Sequence, residues 1–178
     1  MNKKGNLGLI IFFFVLLISI LFLGFIAVVG SSVVNYVFDT ARPELTNLGV
    51  IGSTNMTDVA SYTFTPLDNI IQSFTWITGI LYIMVLIGSF GIIVVIRQAP
   101  SKWLISFYFA MMIILILTSI FISNMYEEFY TGTDDFASIM KEHTILSYMI
   151  LYSPTIFTVI GFLAGIILFS GIQEESYI

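Results

Sequence analysis

The sequence predicts an all-α integral membrane protein with four transmembrane helices. Apolar residues make up 58% of the 178 residues and charged residues only 10%, whereas soluble domains carry roughly a quarter charged residues. Four stretches contain no charged residue and are longer than the about 20 residues needed to cross a bilayer. A segment in hydrocarbon must satisfy its own backbone hydrogen bonds, so each stretch is predicted to be helical. The predicted spans cover about residues 8–30, 75–96, 103–124 and 147–170.

The basic residues predict how these spans are oriented. Four of the six lie at one set of span ends and two at the other. Because basic residues are enriched on the cytoplasmic side of membranes, both termini are predicted to be cytoplasmic. The predicted inner residues are Lys3, Lys4, Arg97 and Lys102, and the predicted outer residues are Arg42 and Lys141.

The predicted spans leave short connections within a single membrane domain, residues 1–178. The first apolar run is longer than the 7–15-residue core of a secretory signal peptide, so we expect an uncleaved anchor. Outer loops are predicted at about 39–65 and 127–143, and the first of these is the longer soluble segment. An inner hairpin is predicted at 97–102.

The inner hairpin lies in the stretch VVIRQAPSKWL. Pro100 is expected to end the second helix, because the residue before a proline avoids the α region. Ser101 can then cap the third helix, and Trp103 can anchor it at the headgroup layer. Arg97 and Lys102, like Lys3 and Lys4 at the N-terminus, are predicted to contact lipid headgroups and to set the topology.

Two helix starts are predicted on the outer side. In TPLD, Thr65 is the expected N-cap and Pro66 the first helical residue. The residues that precede TPLD suggest turns and a short hairpin. In TGTDDFASIMKEH, Thr133 is the expected cap of either a short amphipathic helix or the first turns of the fourth span. The apolar face of that helix would comprise Phe136, Ile139, Met140 and His143.

Acidic residues dominate the predicted outer surface. A solvated acidic loop is the simpler interpretation, and an oxygen-rich site for a hard cation that also uses Glu142 is the alternative. This surface is also a possible binding site for a protein partner. Its residues are Glu127, Glu128, Asp134 and Asp135.

Small residues predict where helices pack closely. Gly161 and Gly165 form a GxxxG pattern in the fourth span, which lets another backbone approach one helical face. Gly88 and Gly91 have a similar role in the second span, and packing within the bundle is favoured over homodimerisation. Pro154 should kink the fourth span, because proline removes a backbone donor and clashes with the preceding turn.

Several functional classes lack support in the sequence. The net charge of −5 argues against binding to nucleic acid, which requires clustered Lys and Arg. With no cysteine and a single histidine, His143, the chain shows no metal-ligand motif, and no cofactor, small-molecule substrate or catalytic motif is recognised. Asn55 begins a three-residue glycosylation sequon, which such a loop would permit.

The predicted spans contain no Asp, Glu, Lys, Arg or His in their lipid-embedded cores, which argues against an ion-coupled pump. We therefore expect a non-enzymatic, multi-pass membrane protein that is a structural or accessory subunit of a larger assembly, either a membrane complex or a lipid-containing virus particle. Its partners would be the lipid bilayer and other membrane or membrane-apposed subunits. The alternative is a small channel or transporter subunit that forms a passive path by oligomerisation.

The layout of four spans with a longer first outer loop is similar to that of claudins and tetraspanins. The cysteines of those families and the tryptophan-rich first-loop signature of claudins are absent from the chain. The sequence therefore assigns no family.

Overall fold

The computed structural model describes residues 3–96 and 102–170 of the chain. The predicted inner hairpin lies largely outside the described residues, including Arg97, Pro100 and Ser101. The side chains of Lys3, Lys4 and Lys102 are also outside them. The elements in chain order are α1 (Lys3–Asn47), β1 (Val50–Ile51), β2 (Thr54–Asn55), α2 (Met56–Ile96), α3 (Lys102–Tyr130), α4 (Asp135–Glu142), α5 (Thr144–Leu151) and α6 (Ser153–Phe169).

The fold is all-α, as predicted, with three helices long and apolar enough to cross a membrane, or four if a bent pair counts as one span. The three are α1, α2 and α3. The bent pair is α5 and α6, whose axes meet at 66°. The number of four spans and the sides of the termini remain predictions.

The helices α1 and α2 are much longer than the spans predicted within them. They contain 45 and 41 residues, or about 67 and 61 Å at 1.5 Å per residue, against about 30 Å of hydrocarbon. Most of segment 39–65, predicted as a loop, is therefore helical. The prediction of a helix start at Thr65 is wrong, because α2 begins at Met56.

The early start of α2 has its physical reason in the N-cap at Asn55, and neither proline ends its helix. Pro43 and Pro66 each occur inside a helix that continues through them, although proline usually interrupts a helix. The N-terminus of α2 is instead capped by Asn55, whose Oδ1 accepts a hydrogen bond from the Thr57 backbone N–H at 3.0 Å. Asp58 follows in the first turn, where it complements the helix dipole.

A two-stranded antiparallel hairpin joins α1 to α2, which confirms the suggested hairpin. Val50 pairs with Asn55, and Ile51 pairs with Thr54. Gly52 has a φ of 65°, as a type II′ turn requires at its first central position. Both strands are exposed, so the hairpin forms the tip of the α1–α2 pair and does not extend the core.

The core is built around α1, which contacts α2 along much of its length and also packs on α3, α4 and α5. Gly24 lets the ring of Tyr82 approach, since a Cβ at this glycine would lie 3.3 Å from that ring. The large side chains that are wholly buried include Phe13, Phe14, Leu17, Leu21, Tyr82, Tyr108, Leu115, Tyr126 and Phe157.

The region after α3 is divided into two short helices, α4 and α5, and the longer α6. α4 is a separate amphipathic helix, which was one of the two predicted alternatives. Its N-cap is Asp134 and not Thr133, so the predicted cap was one residue too early. The Asp134 Oδ1 accepts a hydrogen bond from the Ala137 N–H at 3.0 Å. The buried residues of α4 are Ala137, Ile139 and Met140, so its inner face matches the predicted one in part.

The predicted kink at Pro154 is confirmed by the bend between α5 and α6. Pro154 has no N–H to donate to the Ile150 carbonyl one turn earlier. The Ser153 hydroxyl donates to that carbonyl instead, at 2.7 Å. The Leu151 carbonyl at the break accepts from the Ser123 hydroxyl of α3, at 2.6 Å. Polar side chains thus satisfy the backbone groups at the break.

Candidate functional site

A cavity of about 510 Å³ lies between α1, α2 and the α4–α5 junction. Its volume is within the range of about 300–1,000 Å³ typical of small-molecule sites. Most of the side chains around it are partly exposed, so it is open to the surroundings. The polar lining residues are Asn35, Asp39, Asp68, Gln72, Thr75, Glu142, His143 and Thr144, and the others are Trp76, Gly79, Ile80, Ile83, Ile139, Ile145 and Leu146.

The lining contributed by α2 changes from polar to apolar along the helix. Asp68 and Gln72 come first, and Gly79, Ile80 and Ile83 follow after Trp76. Since 15 residues of helix separate the ends, this lining extends about 22 Å. The change falls near residue 75, where the predicted second span begins. The cavity is thus polar at the end formed by Asp68 and Gln72 and apolar at the end nearer the predicted bilayer.

Negative charge predominates at the polar end. Asp39 and Glu142 are exposed carboxylates, and Asp68 forms an ion pair with Arg42. The Arg42 guanidinium also lies over the Phe64 ring, 5.8 Å from its centroid. Because Arg42 offsets Asp68 alone, the charges of Asp39 and Glu142 are not balanced within the lining.

His143 connects α4 to α5 at the wall of the cavity. It ends α4 and precedes the first residue of α5. Its Nε2 lies 3.1 Å from the Ser31 hydroxyl of α1. Burial lowers the pKa of His143 below its ordinary value because desolvation disfavours the charged imidazolium. At neutral pH this residue therefore adds a neutral hydrogen-bonding group and no positive charge.

Asn35 carries a buried carbonyl oxygen in the wall of the cavity. Its Oδ1 is inaccessible to solvent and has no hydrogen-bond partner among the described atoms. A buried carbonyl oxygen without a partner loses its hydration without compensation. The Asn35 side chain therefore places one uncompensated polar atom in the wall of the cavity.

The described carboxylates around the cavity are not arranged as a compact metal site. Among the residues that the structure describes, no group of three or more His, Cys, Asp or Glu side chains is close enough to hold a metal ion. The alternative of a hard-cation site at the outer acidic residues thus finds no such cluster in this part of the chain. The carboxylates around the cavity are spread over three helices, which suits a larger ligand.

The glycines predicted for helix packing behave differently in the two spans. A Cβ at Gly161 would lie 3.0 Å from the Met112 Cε, and one at Gly165 would lie 3.4 Å from the Tyr108 ring. The Tyr108 hydroxyl donates to the Gly161 carbonyl at 2.6 Å. These two glycines therefore lie against α3. Gly88 and Gly91 have no described atom within 4 Å of such a Cβ, so no close helix packing is seen at either glycine.

The remaining predicted residues whose side chains the structure describes lie on the surface. Trp103 is 61% exposed and stacks on Phe107 with ring centroids 5.7 Å apart. The four residues of the predicted acidic surface are exposed near the end of α3 and the start of α4, and none of them lines the cavity. They are Glu127, Glu128, Asp134 and Asp135.

The sequence predictions did not include the cavity. Its main polar residues, Asn35, Asp39, Asp68 and Gln72, come from two helices whose contact is formed by packing. One signal was present, since Asp39, Asp68 and Glu142 all lie outside the predicted spans, within nine residues of a span end and on the same predicted side of the bilayer. A similar predicted depth relative to the membrane does not show that these three residues line the same cavity.

The chain is a helical protein with three or four helices of membrane-spanning length and composition. No family model matches it, and neither curated proteins nor solved structures gave a significant match.

Proposed function

We propose that this chain is a non-enzymatic integral membrane protein that acts as a structural or accessory subunit of a larger membrane-associated assembly. The apolar helices would lie in the bilayer. The outer parts of α1 and α2 would then project from it and contact partner subunits.

The observation that carries this proposal is the apolar surface beyond the predicted spans. Residues 31–47 of α1 and 56–74 of α2 lie outside those spans and extend roughly 25 Å at 1.5 Å per residue. Large apolar patches exposed to water commonly mark interaction surfaces. Exposed apolar side chains on this projection include Val33, Val34, Tyr36, Val37, Tyr62, Leu67, Ile70 and Phe74.

The acidic residues at the end of α3 provide a second, polar contact surface on the same side. Glu127 and Glu128 are exposed there. An acidic patch favours a partner with a complementary basic surface, because charge complementarity speeds association and suppresses wrong partners. A partner could thus pack on the projection and pair with these carboxylates.

The proposal is tested by extracting the chain from its native membrane in mild detergent and measuring the particle mass. We expect a complex of fixed composition that is heavier than the 20.0 kDa chain. The double variant Val37→Glu with Ile70→Glu should dissociate it, because both side chains are exposed on the projection and a buried carboxylate without a partner is costly.

Ser61→Glu is the matched control, since Ser61 is an exposed polar residue of the same projection. This variant should leave the complex intact. A wild-type chain recovered as a monodisperse monomer without partners would contradict the proposal.

The second candidate function is a passive channel or transporter subunit. The polar end of the cavity favours it, because polar groups of several copies could line a path. Electrical recording on the purified protein in planar bilayers tests this candidate. Conductance no greater than that of protein-free bilayers would eliminate it.

A further inference from the structure

We infer that the cavity between α1, α2 and the α4–α5 junction binds an amphiphile that carries a protonated amine on an apolar chain. The amine would occupy the polar end near Asp39 and Glu142, and the chain would lie along Gly79, Ile80 and Ile83. This is a ligand site in addition to the partner contacts proposed above, and it does not depend on them.

The charge of the cavity selects a cation. Asp39 and Glu142 have no ion pair among the described residues, where the only one is Arg42 with Asp68. Lys141 is next to Glu142 in the chain, but its Nζ donates to the Gly132 carbonyl at 3.2 Å and it is not part of the lining. An anionic head at this end would be repelled, and a cationic head would be attracted.

The hydrogen-bonding groups fit an ammonium head. An ammonium has three N–H donors and no acceptor, and carboxylates are acceptors only. Asp39 and Glu142 offer such acceptors at the polar end of the cavity. An ammonium there would donate to these carboxylate oxygens.

The apolar end explains why the ligand should carry a chain. Ile80 and Ile83 are 49% and 40% exposed, and they lie in the predicted second span. A bound chain would cover them and continue toward the lipid. Trp76 lies where the lining changes from polar to apolar, which is the usual depth of an interfacial tryptophan.

Trp76 also provides the measurement. The chain contains two tryptophans, so Trp103→Phe leaves Trp76 as the only one. The full chain is placed in phosphatidylcholine nanodiscs that contain a lipid with brominated chains, which quench tryptophan fluorescence on contact. Two such brominated lipids are compared in separate nanodiscs. The first has a primary-amine head, and the second has the same chains with an uncharged head. We expect stronger quenching by the amine lipid.

A soluble probe distinguishes a membrane lipid from a free amine. The same protein is titrated with 6-bromohexylamine and with 6-bromohexanol. A preference for the amine in the lipid experiment alone identifies a membrane amphiphile as the ligand. A preference with the soluble pair, with or without the lipid preference, identifies a free amine as a ligand.

Two sets of variants locate the binding. Asp39→Asn and Glu142→Gln should each weaken the amine preference about threefold to fivefold, the effect of losing one partly exposed ion pair. Glu44→Gln with Asp58→Asn removes two exposed carboxylates of α1 and α2 that do not line the cavity, and it should leave the preference unchanged.

Gly79→Leu should abolish the preference by filling the apolar end, because this glycine lines the cavity. Gly88→Leu is its control on the same helix, where a Cβ meets open space. Circular dichroism of each variant verifies that the helices are retained. Equal quenching by amine and uncharged probes in both experiments would overturn the inference. So would an amine preference that survives Asp39→Asn with Glu142→Gln.

Discussion

His143 shows how a single side chain can make stability depend on pH. It lies at the junction of α4 and α5 and contacts Ser31 through Nε2. Its pKa is lowered by burial, so the unfolded chain binds this proton more readily than the folded chain does. The contribution of neutral His143 to stability is therefore complete above about pH 6.5, which is the ordinary pKa of histidine. That stability is lost progressively as the pH falls from there to the lower folded pKa.

We expect the histidine ring resonances of the purified protein to titrate below pH 6.5 in an NMR experiment. The chain has one histidine, so the signal needs no further assignment. In thermal unfolding, His143→Gln should show a smaller loss of Tm between pH 7.5 and pH 5 than the wild type shows. A midpoint above 6.5, or an equal loss of Tm in the variant, would contradict this account.

The helices α5 and α6 show how an element is ended and restarted inside an apolar region. Pro154 deprives the Ile150 carbonyl of its helical donor, and the Ser153 hydroxyl supplies a bond at 2.7 Å. Hydrogen bonding by Ser and Thr side chains to earlier carbonyls is a usual compensation at such breaks. The break therefore depends on two adjacent residues that act together.

Ser153→Ala should lower the free energy of unfolding by about 1 kcal/mol, the usual net value of one hydrogen bond. The same change made in a Pro154→Ala background should cost less, because the alanine introduced there has a backbone N–H that can donate to the Ile150 carbonyl. The two differences are compared by reversible unfolding in mixed detergent micelles. An equal cost in both backgrounds would show that the serine does not replace the missing donor.

The bounds of the elements were less predictable than their types. Pro66 after Thr65 is a common helix start, and this pattern led to a predicted start later in the chain than the true one. The true cap is Asn55, with Asp58 following, and this signal was also present in the sequence. A proline is compatible with both a first turn and a kinked interior, so local pattern alone does not choose between them.

At the level of the whole chain, α1 and α2 form a pair joined by the β-hairpin at one end. The predicted topology places this β-hairpin tip and the α3–α4 connection on the same outer side. The predicted inner hairpin at 97–102 would lie on the opposite side. The chain has no cysteine, so single introduced cysteines report on topology without background.

Ser53→Cys and Thr133→Cys should react with a membrane-impermeant maleimide from the same side, and Ser101→Cys should react from the other. Intact and permeabilised membrane vesicles give the measurement. Labelling of Ser101→Cys from the same side as Ser53→Cys would show that the predicted orientation of the second and third spans is wrong.

Composition and long charge-free stretches are enough to predict the all-α class and apolar helices of bilayer length, because hydrocarbon offers no partner for backbone polar groups. They do not predict the cavity. Asn35 and Glu142 line the same space, although more than 100 residues separate them in the chain. Their proximity depends on how α4 and α5 pack on α1. That packing is set by side-chain shape across several helices, and no local pattern in the sequence encodes it.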